Sequence, residues 1–187
     1  LDQRTLAEED IAFSIAPRIN AASRMDLPEA AFELLAAQES QGMDERAQHL
    51  EKLNNARKGA VAALVKEVKH RIDERGLGSN PVIVLGDPSW RPALLGLAGT
   101  SVVEAYGRPV CLWGRSGSGV LKGSCRSNGS VSISVLLRGA TPFLMEYGGH
   151  DGSGGFSVAV DQVHKLSDAL CGGYAAAYTP QAEKPSF

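Results

Sequence analysis

Three clusters in this chain hold residue types that could act on an anion. The first is Pro17-Arg18-Ile19-Asn20-Ala21-Ala22-Ser23-Arg24, in which Arg18, Asn20 and Arg24 stand beside a proline-fixed backbone. Guanidinium forks match the geometry of phosphate or carboxylate. A loop whose arginines pair the many nearby acids explains the same residues equally well.

The second cluster is Lys122-Gly123-Ser124-Cys125-Arg126-Ser127-Asn128-Gly129-Ser130, with two cations, three hydroxyls and two glycines. It reads as a strand end running into a helix N-terminus, where free N–H groups favour an anion and glycine permits close approach. A Ser/Gly surface turn is the plainer alternative. The third cluster is Tyr147-Gly148-Gly149-His150-Asp151-Gly152-Ser153-Gly154-Gly155, with five glycines from Gly148 to Gly155. Glycine loses more conformational freedom on folding than other residues, so such a run is not chosen for stability. A His held there can donate to phosphate or ligate a metal. A flexible loop with an incidental His is the alternative.

Motifs that would complete a hydrolytic site are missing. The sequence has no His-Glu-x-x-His, no Cys-x-x-Cys, no phosphate-loop pattern ending in Gly-Lys-Ser/Thr and no Gly-x-Ser-x-Gly elbow. The chain reads as a binding half, and no metal ligand set is expected in it.

The elements that must position these clusters follow from periodicity. Apolar residues from Ala30 to Ala36 suit a short helix ending near Gly42. Ala47, Leu50, Leu53, Ala56, Ala60, Val61, Leu64, Val65, Val68 and Ile72 then recur at three- and four-residue steps, predicting a helix over 44–75. At about 1.5 Å per residue it approaches 50 Å, the length of a strut between two bodies. After Gly76 the pattern becomes α/β. Strands are expected at 81–85, 108–113, 119–124 and 155–160, and helices at 94–106, 130–137 and 162–178. A strand–helix–strand unit with short joints implies a parallel, right-handed crossover, and a hairpin is expected through Ser116-Gly117-Ser118. The expected fold is α/β: a long connecting helix followed by a small domain with a mixed, partly parallel sheet flanked by helices.

The 187 residues carry a formal charge of −2, distributed unevenly. The first fifty hold four basic and ten acidic side chains, whereas Pro88 to His150 holds six basic and two acidic. A basic, Gly-rich middle in an acidic chain is compatible with an anion site, or with cations scattered over a solvated surface. The longest apolar run, Ala60 to Val65, is far below the roughly 20 residues of a membrane span. No signal peptide is expected, and three scattered cysteines suit a reducing, cytoplasmic setting.

Taken in order, the clusters resemble the C-terminal part of the catalytic core of RecJ-type single-strand exonucleases, in the DHH phosphoesterase superfamily. The matching pieces are Pro17 to Arg24, the long helix, Asp87-Pro88-Ser89-Trp90-Arg91-Pro92-Ala93-Leu94-Leu95-Gly96, Tyr106-Gly107-Arg108-Pro109-Val110, Lys122-Gly123-Ser124-Cys125-Arg126-Ser127 and Gly148-Gly149-His150. The resemblance implies two lobes with single-stranded nucleic acid between them, and two Mn²⁺ or Mg²⁺ ions held by an N-terminal lobe whose motifs do not occur here. It divides the chain into a junction remnant at 1–27, connecting helices at 28–78, a DHH-associated substrate-binding domain at 79–178 and a tail at 179–187. Ser124 and Arg126 would contact the terminal phosphate, with Lys122, Gly123 and Ser127 beside them. Gly148, Gly149 and His150 would face the active site, and Arg18, Asn20 and Arg24 would lie near the substrate path.

The chain departs from the family pattern at Ser23, Arg91, Cys125 and Asp151, and the carboxylate of Asp151 would oppose a phosphate beside it. The function this implies is the nucleic-acid-binding half of a 5′–3′ exonuclease acting on single-stranded DNA or short oligonucleotides, inactive as this chain alone. An oligoribonuclease, a cyclic-dinucleotide phosphodiesterase and a non-catalytic nucleic-acid-binding module remain alternatives.

Overall fold

The computed structural model describes residues 5–37, 42–117 and 119–178. The expected tail from Thr179 onward and Ser118 of the expected hairpin turn lie outside the described residues. The chain divides into two compact units, Leu1–Ala62 and Ala63–Phe187.

The first unit is helical. A short helix α1 (Glu8–Asp10) continues through a π-type stretch (Ile11–Ile15) into α2 (Ala16–Met25), followed by α3 (Glu29–Leu35) and the first part of α4 (Met43–Glu74). The segment around Pro17, open to a loop reading from sequence, is therefore helical. Proline supplies no N–H and crowds the preceding turn, so it suits a helix start. Here it falls at the start of α2, directly after the wider π stretch. A small cluster makes the core of this unit: Ala22, Ala31 and Leu50, with Ile19, Ala30, Leu34 and Leu53 against them.

The second unit holds the remainder of α4 and a five-stranded sheet in the order β1-β2-β3-β5-β4. The strands are β1 (Ile83–Gly86), β2 (Val110–Arg115), β3 (Leu121–Arg126), β4 (Glu146–Gly149) and β5 (Ser153–Val158). β1 and β2 are parallel and joined through α5 (Pro92–Tyr106), as the strand–helix–strand pattern requires; every other pair is antiparallel. α6 (Ile133–Gly139) and α7 (Leu166–Ala177) pack together.

Successive strand residues point to opposite faces, and each face has its own cover. Cys111, Leu121, Cys125, Phe156 and Val158 share a core with Ile133, Leu136, Leu137, Leu166 and Leu170 from α6 and α7. The alternate residues Val110 and Leu112 face α5, which packs on β2 and β3. Cys111 and Cys125 stand directly opposite one another, fully buried, and burial pushes the Cys111 thiol up.

The observed mixed sheet, long helix and flanking helices agree with the sequence reading. Two local expectations change. β3 reaches Arg126, so Cys125 and Arg126 belong to a strand and not to a strand-to-helix loop. The Gly148–Gly155 run is a loop only at 150–152, since Gly148 and Gly149 of β4 pair with Gly155 and Gly154 of β5.

Candidate functional site

Strand pairing brings the second and third clusters together. Lys122, Ser124 and Arg126 lie on one face of β3, and their partners across β5 are Ser157, Gly155 and Ser153. Gly155 in turn pairs with Gly148 of β4, and Ser157 with Glu146. The row Ser124–Gly155–Gly148 therefore crosses three strands with a single short side chain. A Cβ on Gly148 would meet nothing within 4 Å, so this row is an open floor of bare backbone.

A groove of about 580 Å³ lies over that floor, with Lys122, Ser124, Glu146, Tyr147, Gly148 and Gly155 in its lining. Pro92, the first residue of α5, also lines it. The start of a 15-residue helix thus reaches the groove, and the positive end of its dipole favours an anion. Lys122 adds a cation, and Glu146, two strands across in the same row, adds an opposing charge.

Arg126 and His150 flank the floor outside the groove lining. Arg126 Nη1 donates to Ser124 Oγ at 3.0 Å and to the Cys125 carbonyl at 2.8 Å. Ser153 pairs with Arg126 across the ladder. It also holds the third cluster: its carbonyl accepts from the His150 N–H at 2.8 Å, and its hydroxyl lies 2.9 Å from His150 Nε2. Nδ1 of His150 accepts from the Gly152 N–H at 3.2 Å. Both ring nitrogens of His150 are thus engaged within the hairpin. Arg126, Ser153 and His150 are thus one connected row.

Several residues of the second cluster are turn formers. Ser127 Oγ donates to the Val131 carbonyl at 2.6 Å and accepts from the Gly129 N–H at 2.9 Å. Asn128 donates to the Gly107 carbonyl and accepts from Ser130 N–H and Oγ. The helix start after this cluster, α6, is engaged by Asp151: its carbonyl accepts from the Ile133 N–H at 3.1 Å, and its carboxylate accepts from Ser132 Oγ at 2.7 Å. The carboxylate that looks misplaced beside a phosphate has an occupation at this helix start, where negative charge is favourable.

Arg18, Asn20 and Arg24 lie on α2 in the first unit. Arg18 Nε pairs with Glu51 and its Nη1 with the Ser14 carbonyl, while the Asn20 carbonyl accepts from Ser23 Oγ. Arg18 therefore has the carboxylate partner that one sequence reading allowed.

Sequence reasoning missed the α5 start and the β4 lining residue Glu146, and it gave Tyr147, the first residue of the third cluster, no role. The pair Arg91-Pro92 was the available signal, because proline favours the first position of a helix. Nothing local signals that β4 borders a groove.

A supporting contact holds the strand-to-helix connection that ends at Pro92. Asp87 Oδ1 accepts from Ser89 N–H and Oγ at 2.8 and 2.6 Å, and its Oδ2 accepts from Arg71 of α4 at 2.8 Å. These bonds, Ser89 first, bring the Asp87 carboxyl down to about 2. Arg71 also stacks over Trp90, 5.2 Å from the ring centroid.

No group of three or more His, Cys, Asp or Glu able to hold a metal occurs among the described residues. Nor is any helix there long and apolar enough to cross a membrane.

No family model matches the chain. Individual proteins do. It is 34% identical over 149 residues to the single-stranded-DNA-specific exonuclease RecJ of Thermus thermophilus, covering 80% of this chain and 21% of that protein. Against RecJ of Bacillus subtilis it is 27% identical over 164 residues, 87% of this chain and again 21% of the relative. The crystal structure of Thermus thermophilus RecJ with Mn²⁺ superposes with a TM-score of 0.79 at 31% identity, covering 91% of this chain and 25% of that one.

The fold is thus that of a segment of a metal-bound exonuclease. The chain is homologous over most of its length to the RecJ exonucleases, and it spans only 21% to 29% of the length of the curated relatives it matches. RecJ has been solved with Mg²⁺ and with Mn²⁺; the described residues of this chain offer no donor set that fits either ion.

Proposed function

We propose that this chain is the phosphate-binding portion of a RecJ-like single-strand-specific 5′–3′ exonuclease. Lys122, Ser124 and Arg126 would hold a backbone phosphate over the Gly148–Gly155 floor, with the α5 start supplying further positive potential and Gly149 and His150 shaping the far edge. The observation that carries this reading is the three-strand register, which sets a lysine, a serine and an arginine in alternate positions beside a surface stripped of side chains. A bare, flat floor flanked by charge-assisted donors suits an extended phosphodiester backbone. Specific base readout would need side chains reaching base edges.

The residues at 79–178 would form this binding domain, with 1–27 and 28–78 serving as junction and connecting helices. Arg18, Asn20 and Arg24 would line the approach of the strand. Mg²⁺ or Mn²⁺ would be held by a part of the full-length protein outside this chain, and single-stranded DNA in a cytoplasmic setting would be the substrate. Arg126→Ala, introduced into the full-length protein, is expected to cut degradation of a single-stranded oligonucleotide at least tenfold, the scale of removing one hydrogen bond to a charged group, about 1.5–3 kcal/mol. Unchanged activity and unchanged affinity in that variant would sink the proposal.

A further inference from the structure

The helix α5 carries two buried glycines one turn apart, Gly96 and Gly99. Glycine inside a helix is less stable than alanine, so a pair on one face calls for a neighbour that a methyl group would disturb. At position 96 the neighbour is Arg126. A Cβ there would stand well inside contact distance of Arg126 Nη2, 3.2 Å from its Cζ and 3.1 Å from Ser124 Oγ. At position 99 a Cβ would lie 3.4 Å from Arg126 Cγ and 4.0 Å from its Cβ, which is ordinary contact. The Arg126 side chain therefore runs along α5, its stem beside Gly99 and its guanidinium over the bare backbone of Gly96. From the other side, Nη1 is fixed by Ser124 Oγ and the Cys125 carbonyl.

We propose that Gly96 is a positioning residue, whose missing side chain seats the Arg126 guanidinium beside Ser124 in the orientation that receives a phosphate. The inference rests on the reading of Arg126 as a phosphate-binding group. It has an unusual signature. The atoms most in the way of a methyl group at 96 are the far end of the long Arg126 side chain, which can swing aside while the helix stays intact, and Ser124 Oγ at 3.1 Å has only a few tenths of an ångström to give. Gly96→Ala should therefore leave stability unchanged or raise it, because alanine is the better helix former, and still weaken binding. A residue needed only for packing would lose stability and binding together.

The test uses the 187-residue chain with Gly96→Ala, Gly99→Ala, Arg126→Ala and the Gly96→Ala/Arg126→Ala double variant. Affinity for a 5′-phosphorylated oligothymidylate is measured by fluorescence anisotropy and stability by thermal unfolding. The Arg126 Nε–Hε NMR resonance, assigned by its loss in Arg126→Ala, reports the guanidinium directly. The expected result is about tenfold weaker binding for Arg126→Ala, and a comparable loss for Gly96→Ala with an unchanged or higher midpoint and a displaced Arg126 resonance. Gly99→Ala should bind as wild type, and the double variant no more weakly than Arg126→Ala alone. Wild-type affinity in Gly96→Ala beside weak binding in Arg126→Ala would overturn the role of Gly96 and leave the phosphate reading standing. Wild-type affinity in Arg126→Ala would overturn the phosphate reading, and the role of Gly96 with it. Additive losses in the double variant, or an unfolded Gly96→Ala, would overturn the positioning role, since both would mean that the backbone and not the guanidinium had yielded.

Discussion

Adjacent glycines in β4 should respond to alanine in opposite ways. Gly149 pairs with Gly154, and a Cβ on it would lie 2.5 Å from Gly154 Cα and 2.5 Å from the Ser153 carbonyl oxygen. Ordinary contact begins near 3.4 Å, so the shortfall is about 0.9 Å. Both obstructing atoms are backbone and cannot rotate away, so the β4–β5 hairpin must shift as a body. Overpacking of this kind costs about 1–3 kcal/mol. Taking about 2 kcal/mol and about 2–4 °C per kcal/mol for a chain of this size, Gly149→Ala should lower the unfolding midpoint by about 4–8 °C. Gly148 points to the opposite face, where its Cβ would meet nothing, so Gly148→Ala should hold the wild-type midpoint while filling the groove floor and weakening oligonucleotide binding. Differential scanning calorimetry of the two variants, with anisotropy for binding, decides the matter. The reasoning is refuted if Gly149→Ala melts with the wild type, or if Gly148→Ala falls as far as Gly149→Ala.

Other perturbations probe the supports of the site. Asp87 has its carboxyl lowered from 3.8 to about 2, so its contribution to stability is full above about pH 4 and is lost as pH falls toward 2. Asp87→Asn should cost about 1 kcal/mol at pH 7, a figure reduced for its partial solvent screening, and the gap from wild type should close across that acid window in urea titrations at stepped pH. Tyr174→Phe removes the 3.2 Å bond from its hydroxyl to buried Ser130 Oγ. Because Ser130 keeps its bond to Asn128, the expected loss is only about 0.5–1.5 kcal/mol by chemical denaturation.

The parts of the fold legible from sequence are those where side chains carry the signal. The long helix, expected over 44–75, runs Met43–Glu74, because its apolar stripe repeats at helical steps over most of its length. The β1–α5–β2 unit is equally legible: Val82-Ile83-Val84-Leu85 is an apolar run that only a strand covered on both faces needs. The β4 half of the Gly148–Gly155 hairpin is not legible, although a strand from Gly155 onward is. Glycine has no side chain to report a period; β4 is held extended by β5, and β5 by β3, a partner more than twenty residues away in the chain. Arg126 is misplaced in sequence for a related reason. A polar Lys-Gly-Ser-Cys-Arg sequence resembles a turn until the sheet puts its alternate residues Lys122, Ser124 and Arg126 on one face. Of the candidate site, composition singled out Lys122 and Arg126, and the register puts them on one face of β3. The closeness of Gly96 to Arg126 emerges only when α5 packs on β3.

The central claim is that Lys122 and Arg126 hold backbone phosphate, and salt dependence tests it most directly. Removing one cation that neutralises a phosphate should reduce the magnitude of the slope of log affinity against log salt by about 0.7 for a single strand. The account predicts that Lys122→Ala and Arg126→Ala each bind single-stranded oligonucleotides of every base composition more weakly and with a shallower slope than wild type. Wild-type affinity and slope in both variants, or losses confined to one base sequence, would contradict it.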